Sequence, residues 1–575
     1  MASGGWVWLL CLMAFLLSRA AAEGVSLTAE EEYSRGDFPE GFVFGAGTSA
    51  YQVEGAADQD GRSASVWDTF VQEGYAGGAT GDVAVDQYHK YKDDVLLMAG
   101  IGLDSYRFSI SWSRLIPGKA GEELSIPKAS STTTTSSMNS LATVGNHFFR
   151  IQPQVSLYNY DHPQVLEDEY GGWLSRRMVG DFRDYAEVCF REFGDRVGHW
   201  TTVNEPNIFA SGSYGQGLGP PHRCSPPFGV TTCAQGNSTT EPYLVLHNIL
   251  LAHGSTVELY RENYQRKQGG LIGLTLFAFG VVPYTNSAAD VAAAKRAKDF
   301  FIGWAVNPLV FGDYPEVMKR NVGSRLPSFT SGESKLVKGA FDFLGVIHYM
   351  EMPMKDNPES LDSELRDFYA DVGAQMMVSL DSYTHGVSPS ITYNFLLVNF
   401  PVKPGALREV LEDFRTLYGN PPLYVHENGK PKQSPSYLFS PRTGFANRFD
   451  AGQVERRNGS LKDTGRVEYL HRYIGAVLDA IRDGCNVRGY FVWSLMDVLE
   501  LLGGFQTGYG LYYVDLDDPD LTRYPKLSAH WFSRFLNGAS VGPDYSNVIV
   551  EFELAVADLS HLITHVRRRR QHSSH

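Results

Sequence analysis

Thr201-Thr202-Val203-Asn204-Glu205-Pro206-Asn207 is a β-branched run that ends in a carboxylate set between two amides and a proline. His199 to Val203 reads as a short buried strand, and Pro206, which has no N–H for a ladder, ends it. Glu205 is therefore placed at the C-terminal end of a strand. Taken alone, Asn-Glu-Pro is an ordinary strand-to-helix loop, because turns favour such residues. A second stretch of the same design changes that reading: Leu423-Tyr424-Val425-His426-Glu427-Asn428-Gly429 is an apolar strand ending in a glutamate, with Asn-Gly making the turn. Two carboxylates at two strand ends suggest a pair.

Outward from these stretches the chain alternates strand and helix. Phe42 to Gly47 is a small-residue strand that allows close packing and leads into Ser49 to Gly55. Tyr88, Tyr91, Val95 and Met98 follow helical spacing, with Gly100 and Gly102 ending the segment. Ser105 to Trp112, Gln154 to Tyr158, His199 to Val203, Leu271 to Phe277, Phe341 to Tyr349, Leu423 to Val425 and Val487 to Trp493 are the further strand candidates. Phe182, Tyr185 and Cys189 mark one intervening helix, and Val467, Leu470, Ile474, Val477 and Ile481 mark another. Eight strands interleaved with helices imply parallel pairing and right-handed crossovers, and the expected fold is an α/β (β/α)8 TIM barrel with long βα loops. Sites in that architecture gather at the strand C-termini, so Glu205 on strand four and Glu427 on strand seven should face each other across the mouth.

Composition bounds the partners. The chain has 575 residues, 43% hydrophobic, 20% charged and 13% aromatic, a globular balance whose aromatic content suits sugar-stacking walls as well as cores. Sixty-five acidic against 50 basic residues give a net charge of −15, which repels a polyphosphate backbone, so nucleic acid is not an expected partner. No metal-site spacing of cysteines appears.

Trp6 to Leu17 has the length of a signal-peptide core, and Ala20-Ala21-Ala22 supplies small residues for cleavage, although no basic residue precedes the run. The run is too short to span a bilayer, so residues 1–22 read as a secretory leader without a membrane anchor. The mature chain then starts near Glu23, secreted or vacuolar. In that oxidising setting Cys224 and Cys233, which bracket a Pro/Gly loop, form a plausible disulfide, whereas Cys189 and Cys485 read as packed free thiols. Asn237 and Asn458 begin sequons in polar stretches and are candidate glycosylation sites.

Several motifs together resemble glycoside hydrolase family 1, the β-glucosidase family, and its plant members most closely. Phe42 to Gly55 resembles the N-terminal signature, Tyr106 to Trp112 the second strand, and Thr201 to Asn207 and Tyr424 to Gly429 the two catalytic motifs. Trp493 to Asp497, continuing to Glu500, resembles the eighth strand and sugar-binding loop. The similarity covers most of residues 38–126, 151–429 and 458–537. What it implies is a retaining β-glycosidase without metal or cofactor, with Glu205 as acid/base and Glu427 as nucleophile. Retention asks for two carboxyl groups about 5 to 5.5 Å apart, one attacking the anomeric carbon while the other protonates the leaving oxygen. Arg107 resembles the family arginine beside the nucleophile, and a nearby cation keeps Glu427 charged while Glu205 stays protonated. Gln52, Asn204 and Glu500 resemble residues that bind glucose hydroxyls, Trp493 the platform under the ring, and Tyr349 the tyrosine near the nucleophile.

Departures from the pattern bear on sugar preference. Asn159 stands in the strand-three motif where the family usually has histidine, so one hydroxyl contact is altered. Ile347 stands for a common asparagine and Leu501 for a common tryptophan. Three segments do not resemble the family: 127–150, with its Ser/Thr run, which lacks the periodicity of the helix expected after strand two; 430–457, an insertion directly after the nucleophile motif; and the tail 538–575. The leading expectation is hydrolysis of β-D-glucosides of small aglycones through a covalent glycosyl-enzyme intermediate. The alternatives are a transglucosidase using the same two glutamates and a catalytically inactive or misassembled barrel whose strands two and three lack outer cover.

Overall fold

Eight parallel strands close on themselves: β1 (Val43–Gly47), β2 (Ser105–Ser109), β3 (Gln152–Tyr158), β4 (His199–Asn204), β5 (Leu271–Phe277), β6 (Phe343–Ile347), β7 (Leu423–Asn428) and β8 (Val487–Trp493). Each pairs with the next in sequence, and β8 pairs with β1 to complete the barrel. The computed structural model describes residues 32–75, 78–118, 151–377, 401–433, 460–505, 507–550 and 552–553. The leader at 1–22, the segment 127–150, Asn458, residues 434–457 and the terminal arginine run lie outside the described residues.

The predicted strands are found, with shorter ends in three cases, the first beginning at Val43 rather than Phe42. The second stops at Ser109 rather than Trp112, because Ser111 caps a helical turn of residues Trp112–Leu115. The sixth is trimmed to Phe343–Ile347. Every residue of β2, β4, β6 and β7 is buried, as expected of parallel strands covered on both faces.

The barrel interior is closed below the mouth by Phe343, Tyr424 and Phe491, with His199 Nε2 and the Tyr424 hydroxyl 3.0 Å apart above a ring contact. This plug explains a glycine in the first strand. A Cβ on Gly45 would fall 2.3 Å from the Phe491 ring, so the small-residue signature makes room for an aromatic on β8.

Outside, the helices lay their apolar stripes against the strands. In α1 (Gln87–Ile101) Tyr88, Val95 and Met98 are buried, in α2 (Arg177–Phe193) Phe182, Tyr185 and Cys189, and in α3 (Thr464–Arg482) Val467, Leu470, Ile474 and Val477. Strands two and three do have cover. Trp112 stacks on Tyr185 at 4.4 Å and 7°, Phe182 meets Trp112 edge-on, and the Tyr185 hydroxyl donates to the Leu157 carbonyl at 2.8 Å. The expectation of an uncovered face overlooked the reach of α2's aromatics, which pack on Trp112 and on the end of β3. The stretch read as a tail also begins later than 538. Val541 bridges to Tyr33, and Val548 and Phe552 are buried in the main core.

Candidate active site

Both glutamates emerge where their strands lose regular register. Pairing of β4 with β5 shifts between Thr201 and Asn204, and pairing of β7 with its two neighbours shifts between Val425 and Glu427–Asn428. Such irregularities re-aim side chains at a barrel rim. Glu205 itself adopts the left-handed region at φ 45°, a costly state for a non-glycine residue that is held from both sides. Its N–H donates to the Thr275 carbonyl at 2.9 Å, and Pro206 starts the helix Pro206–Ser211. Asn207 locks the turn: Nδ2 donates to the carbonyls of Phe277 and Phe301, both at 2.8 Å, and Oδ1 accepts from the Phe277 N–H.

At the other end, Asn428 donates to the His348 carbonyl and the Tyr469 hydroxyl and accepts from the Tyr490 hydroxyl. Its amide is thus committed to holding the end of β7. Gly429 follows because a Cβ there would lie 2.1 Å from the Trp493 carbonyl oxygen. Asn-Gly after the glutamate is a packing requirement as well as a turn.

One chain of contacts joins the two carboxyls. Arg107 Nη1 donates to Glu427 Oε1 at 2.7 Å, its Nη2 donates to Asn204 Oδ1 at 2.5 Å, and Asn204 Nδ2 donates to Glu205 Oε2 at 3.3 Å. The Tyr349 hydroxyl donates to Glu427 Oε2 at 2.9 Å. Glu427 therefore has a buried cation on one oxygen and a phenol on the other. Glu205 has no cation in contact among the described residues. Burial and then the Glu427 charge push its carboxyl up to about 8, with only part of that rise offset by the Tyr160 hydroxyl and the more distant Arg107. Burial also raises Glu427, while Arg107 and Tyr349 pull it back down. The order of ionisation follows: Glu427 loses its proton first.

The remaining predicted residues line the same rim. Gln52 is buried, accepting from the Ser49 hydroxyl and donating to the Leu499 carbonyl at 2.9 Å. Trp493 is buried at the end of β8 beside Gly47. Glu500 is pushed up to about 8 by burial, against a hydrogen bond from Trp493, and its Oε1 has no partner among the described residues. An acceptor left open in this way suits a sugar hydroxyl. Asn159 is buried directly after β3, its backbone N–H on Asp161 Oδ1 at 3.3 Å. Ile347 lies fully buried in register with Glu427, and Leu501 is partly exposed next to Glu500.

Two features were missed in the sequence. The loop carrying Glu500 is anchored from behind by buried charges: Lys526 Nζ sits 2.6 Å from Asp497, while Arg466 pairs with Asp463 at 2.9 Å and donates to the carbonyls of Gly508 and Tyr509. Nothing local in the sequence links residues so far apart. The other is Tyr160, whose hydroxyl donates to Glu205 Oε2 at 2.5 Å. Its place between Asn159 and Asp161, at the end of a strand whose neighbour ends in Glu205, was the available signal.

Of the surface predictions, Cys224 and Cys233 are joined by a disulfide, and Cys189 and Cys485 are buried free thiols. Asn237 is exposed, with Oδ1 accepting from Thr239. Among the described residues no helix is long and apolar enough to cross a membrane.

A family model for glycosyl hydrolase family 1 matches residues 34–540. The chain belongs to that family. Beta-glucosidase 11 of Arabidopsis thaliana is 49% identical over 541 residues, covering 90% of this chain and 95% of its own. A cyanidin 3-O-glucoside 7-O-glucosyltransferase (acyl-glucose) of Delphinium grandiflorum is 48% identical over 513 residues, covering 89% of this chain and 92% of its own. A mutant rice β-glucosidase solved in a covalent complex with Glc superposes with a TM-score of 0.76 at 39% identity, over 87% of this chain and 99% of that one. Fold, family membership and paired carboxyls are those of a retaining β-glucosidase, an O-glycosyl hydrolase.

Proposed function

We propose that the chain hydrolyses β-D-glucosides of small aglycones, with Glu427 as nucleophile and Glu205 as acid/base. The observation that carries this assignment is the asymmetry of the pair: Arg107 and Tyr349 hold Glu427, whereas neutral donors, Tyr160 and Asn204, touch Glu205. In the first step a Glu427 oxygen bonds to the anomeric carbon as the glycosidic C–O bond breaks, and the Glu205 proton passes to the departing oxygen. Esterification removes the Glu427 charge, one of the two causes that hold Glu205 protonated. Glu205 is then fit to take a proton from water, which attacks the same carbon and frees Glu427. Gln52, Asn159, Asn204 and Glu500 would receive the sugar hydroxyls, over the Trp493 platform.

The test is turnover of a chromogenic aryl β-glucoside by the secreted protein, with products resolved in the presence of an alcohol acceptor. Free glucose as the main product supports hydrolysis, and no turnover of any aryl β-glucoside would overturn the reading. A second reading, transfer of the glucosyl unit to an acceptor, is favoured by the Delphinium relative, whose printed activity is glucosyl transfer from an acyl-glucose. A glucosylated acceptor outweighing glucose would establish it. The Cys224–Cys233 bridge and exposed Asn237 support passage through the secretory pathway.

A further inference from the structure

Tyr160 has an unusual position. It takes a left-handed backbone at φ 66°, lies buried, and stacks on Phe209 with ring centroids 5.3 Å apart and planes 9° apart. Phe209 is fixed in turn by edge contacts with Tyr158 and Tyr214. The phenol is thus held on a rigid aromatic bed, and its hydroxyl reaches Glu205 Oε2 at 2.5 Å. Asn204 Nδ2 reaches the same oxygen at 3.3 Å. Both donors fall on one oxygen of a carboxyl that has two.

We propose that Tyr160 is a positioning residue for the acid/base: with Asn204 it occupies Oε2 of Glu205, so that the transferable proton is carried on Oε1. The inference rests on the assignment of Glu205 as acid/base. In glycosylation the Oε1–H bond breaks and its proton goes to the glycosidic oxygen, as the C–O bond to the aglycone opens and the bond from C1 to Glu427 forms. In the second step a water O–H bond breaks, its proton goes to Oε1, water oxygen bonds to C1, and the electron pair of the ester bond returns to Glu427. Tyr160 keeps its own proton throughout. Burial and the neighbouring Glu205 both raise it well above the usual phenol range, so it acts as a fixed neutral donor.

A donor on Oε2 also favours the ionised carboxyl, which helps the second step and opposes the first. The ionisable groups around Glu205 are Glu427, Arg107, Tyr160 and, across the mouth, Tyr349. Of these, Tyr160 alone donates to Glu205 and can be silenced with little change of shape. Tyr160→Phe keeps the ring on Phe209 and removes only the hydroxyl. The expected result is a basic limb of kcat/KM moved up by about one pH unit, since a hydrogen bond to a charged group has that order of effect. A stronger dependence on leaving-group acidity and a roughly tenfold slower turnover of the glycosyl-enzyme should accompany it. Tyr160→Leu, which has no donor, provides the same readings if the phenylalanine variant does not fold. An unmoved basic limb and unchanged glycosyl-enzyme turnover, in a variant with wild-type melting temperature, would overturn the proposal. Glu205→Ala separates the two levels. If it abolishes the basic limb while Tyr160→Phe leaves it in place, only the role of Tyr160 fails; if the limb persists in Glu205→Ala, the acid/base assignment fails and the proposal with it.

Discussion

The ends of the fourth and seventh strands carry the same side chain in opposite settings. Glu427 meets a guanidinium at 2.7 Å and a phenol at 2.9 Å, whereas Glu205 meets a phenol at 2.5 Å and an amide at 3.3 Å. The difference is not local composition, since both follow a β-branched or apolar strand and precede a turn. It comes from which neighbour lies across the mouth. Arg107 stands on β2 and gives one nitrogen to Glu427 and another to Asn204, so Glu205 receives the cation only through an intervening amide. One arginine thereby makes two carboxyls unequal, the condition for splitting nucleophile from acid.

The largest break in that comparison comes from removing each glutamate. Glu427→Ala should lower kcat/KM on the order of 10^5-fold for every aryl glucoside, as loss of a nucleophile does. Glu205→Ala should lower it about 10^2- to 10^4-fold for poor leaving groups and far less for good ones, which need little protonation. Azide sharpens the contrast. It should restore release in Glu205→Ala as a β-glycosyl azide, and in Glu427→Ala as the α anomer, because it then attacks the substrate directly. The opposite stereochemistry would exchange the two roles. Product NMR decides.

Arg107→Lys keeps a positive charge but cannot span Glu427 and Asn204 together. Losing one charge-assisted hydrogen bond, about 1.5 to 3 kcal/mol, should cut kcat/KM roughly 10- to 100-fold and move the acidic limb of the pH profile upward, because Glu427 is then less easily ionised. In the unmodified enzyme the basic limb should lie near 8: the acid form of Glu205 is needed for glycosylation, and activity falls as pH rises through that value. A basic limb below 6 would contradict the account of Glu205.

Tyr349→Phe is a milder perturbation of Glu427. We expect roughly tenfold lower kcat/KM, about 1.5 kcal/mol, with the acidic limb moved in the same direction as for Arg107→Lys. An acidic limb moved downward would show that the phenol does not stabilise the carboxylate. The smallest effect is expected at Asn159, which touches neither carboxyl. Asn159→His should raise kcat/KM several-fold, on the order of 1 kcal/mol, by restoring a hydroxyl contact. No gain, and no change in preference among glucose, mannose and fucose glycosides, would remove Asn159 from the sugar site.

Much was determined by the sequence alone. Apolar runs and helical spacing are local, and they located eight strands and three of the helices between them, while turn and cysteine residues marked the two strand-end glutamates and the disulfide loop at Cys224 and Cys233. Strand ends were less legible: Ser111 caps a helical turn where the apolar run continued, so β2 ended three residues early. What only the tertiary structure decided depends on distance through space rather than along the chain. Tyr185 reaches strands two and three from α2, Lys526 reaches Asp497, and Tyr160 reaches Glu205. The register shifts in β4 and β7 are invisible in a period of two, yet they coincide with the glutamates they present. A sequence specifies which groups can ionise, but the cost of ionising each is set by burial and by the charges that folding brings alongside. For that reason the identity of the pair was readable from residues 199–207 and 423–429, and the inequality of its members only from the closed barrel.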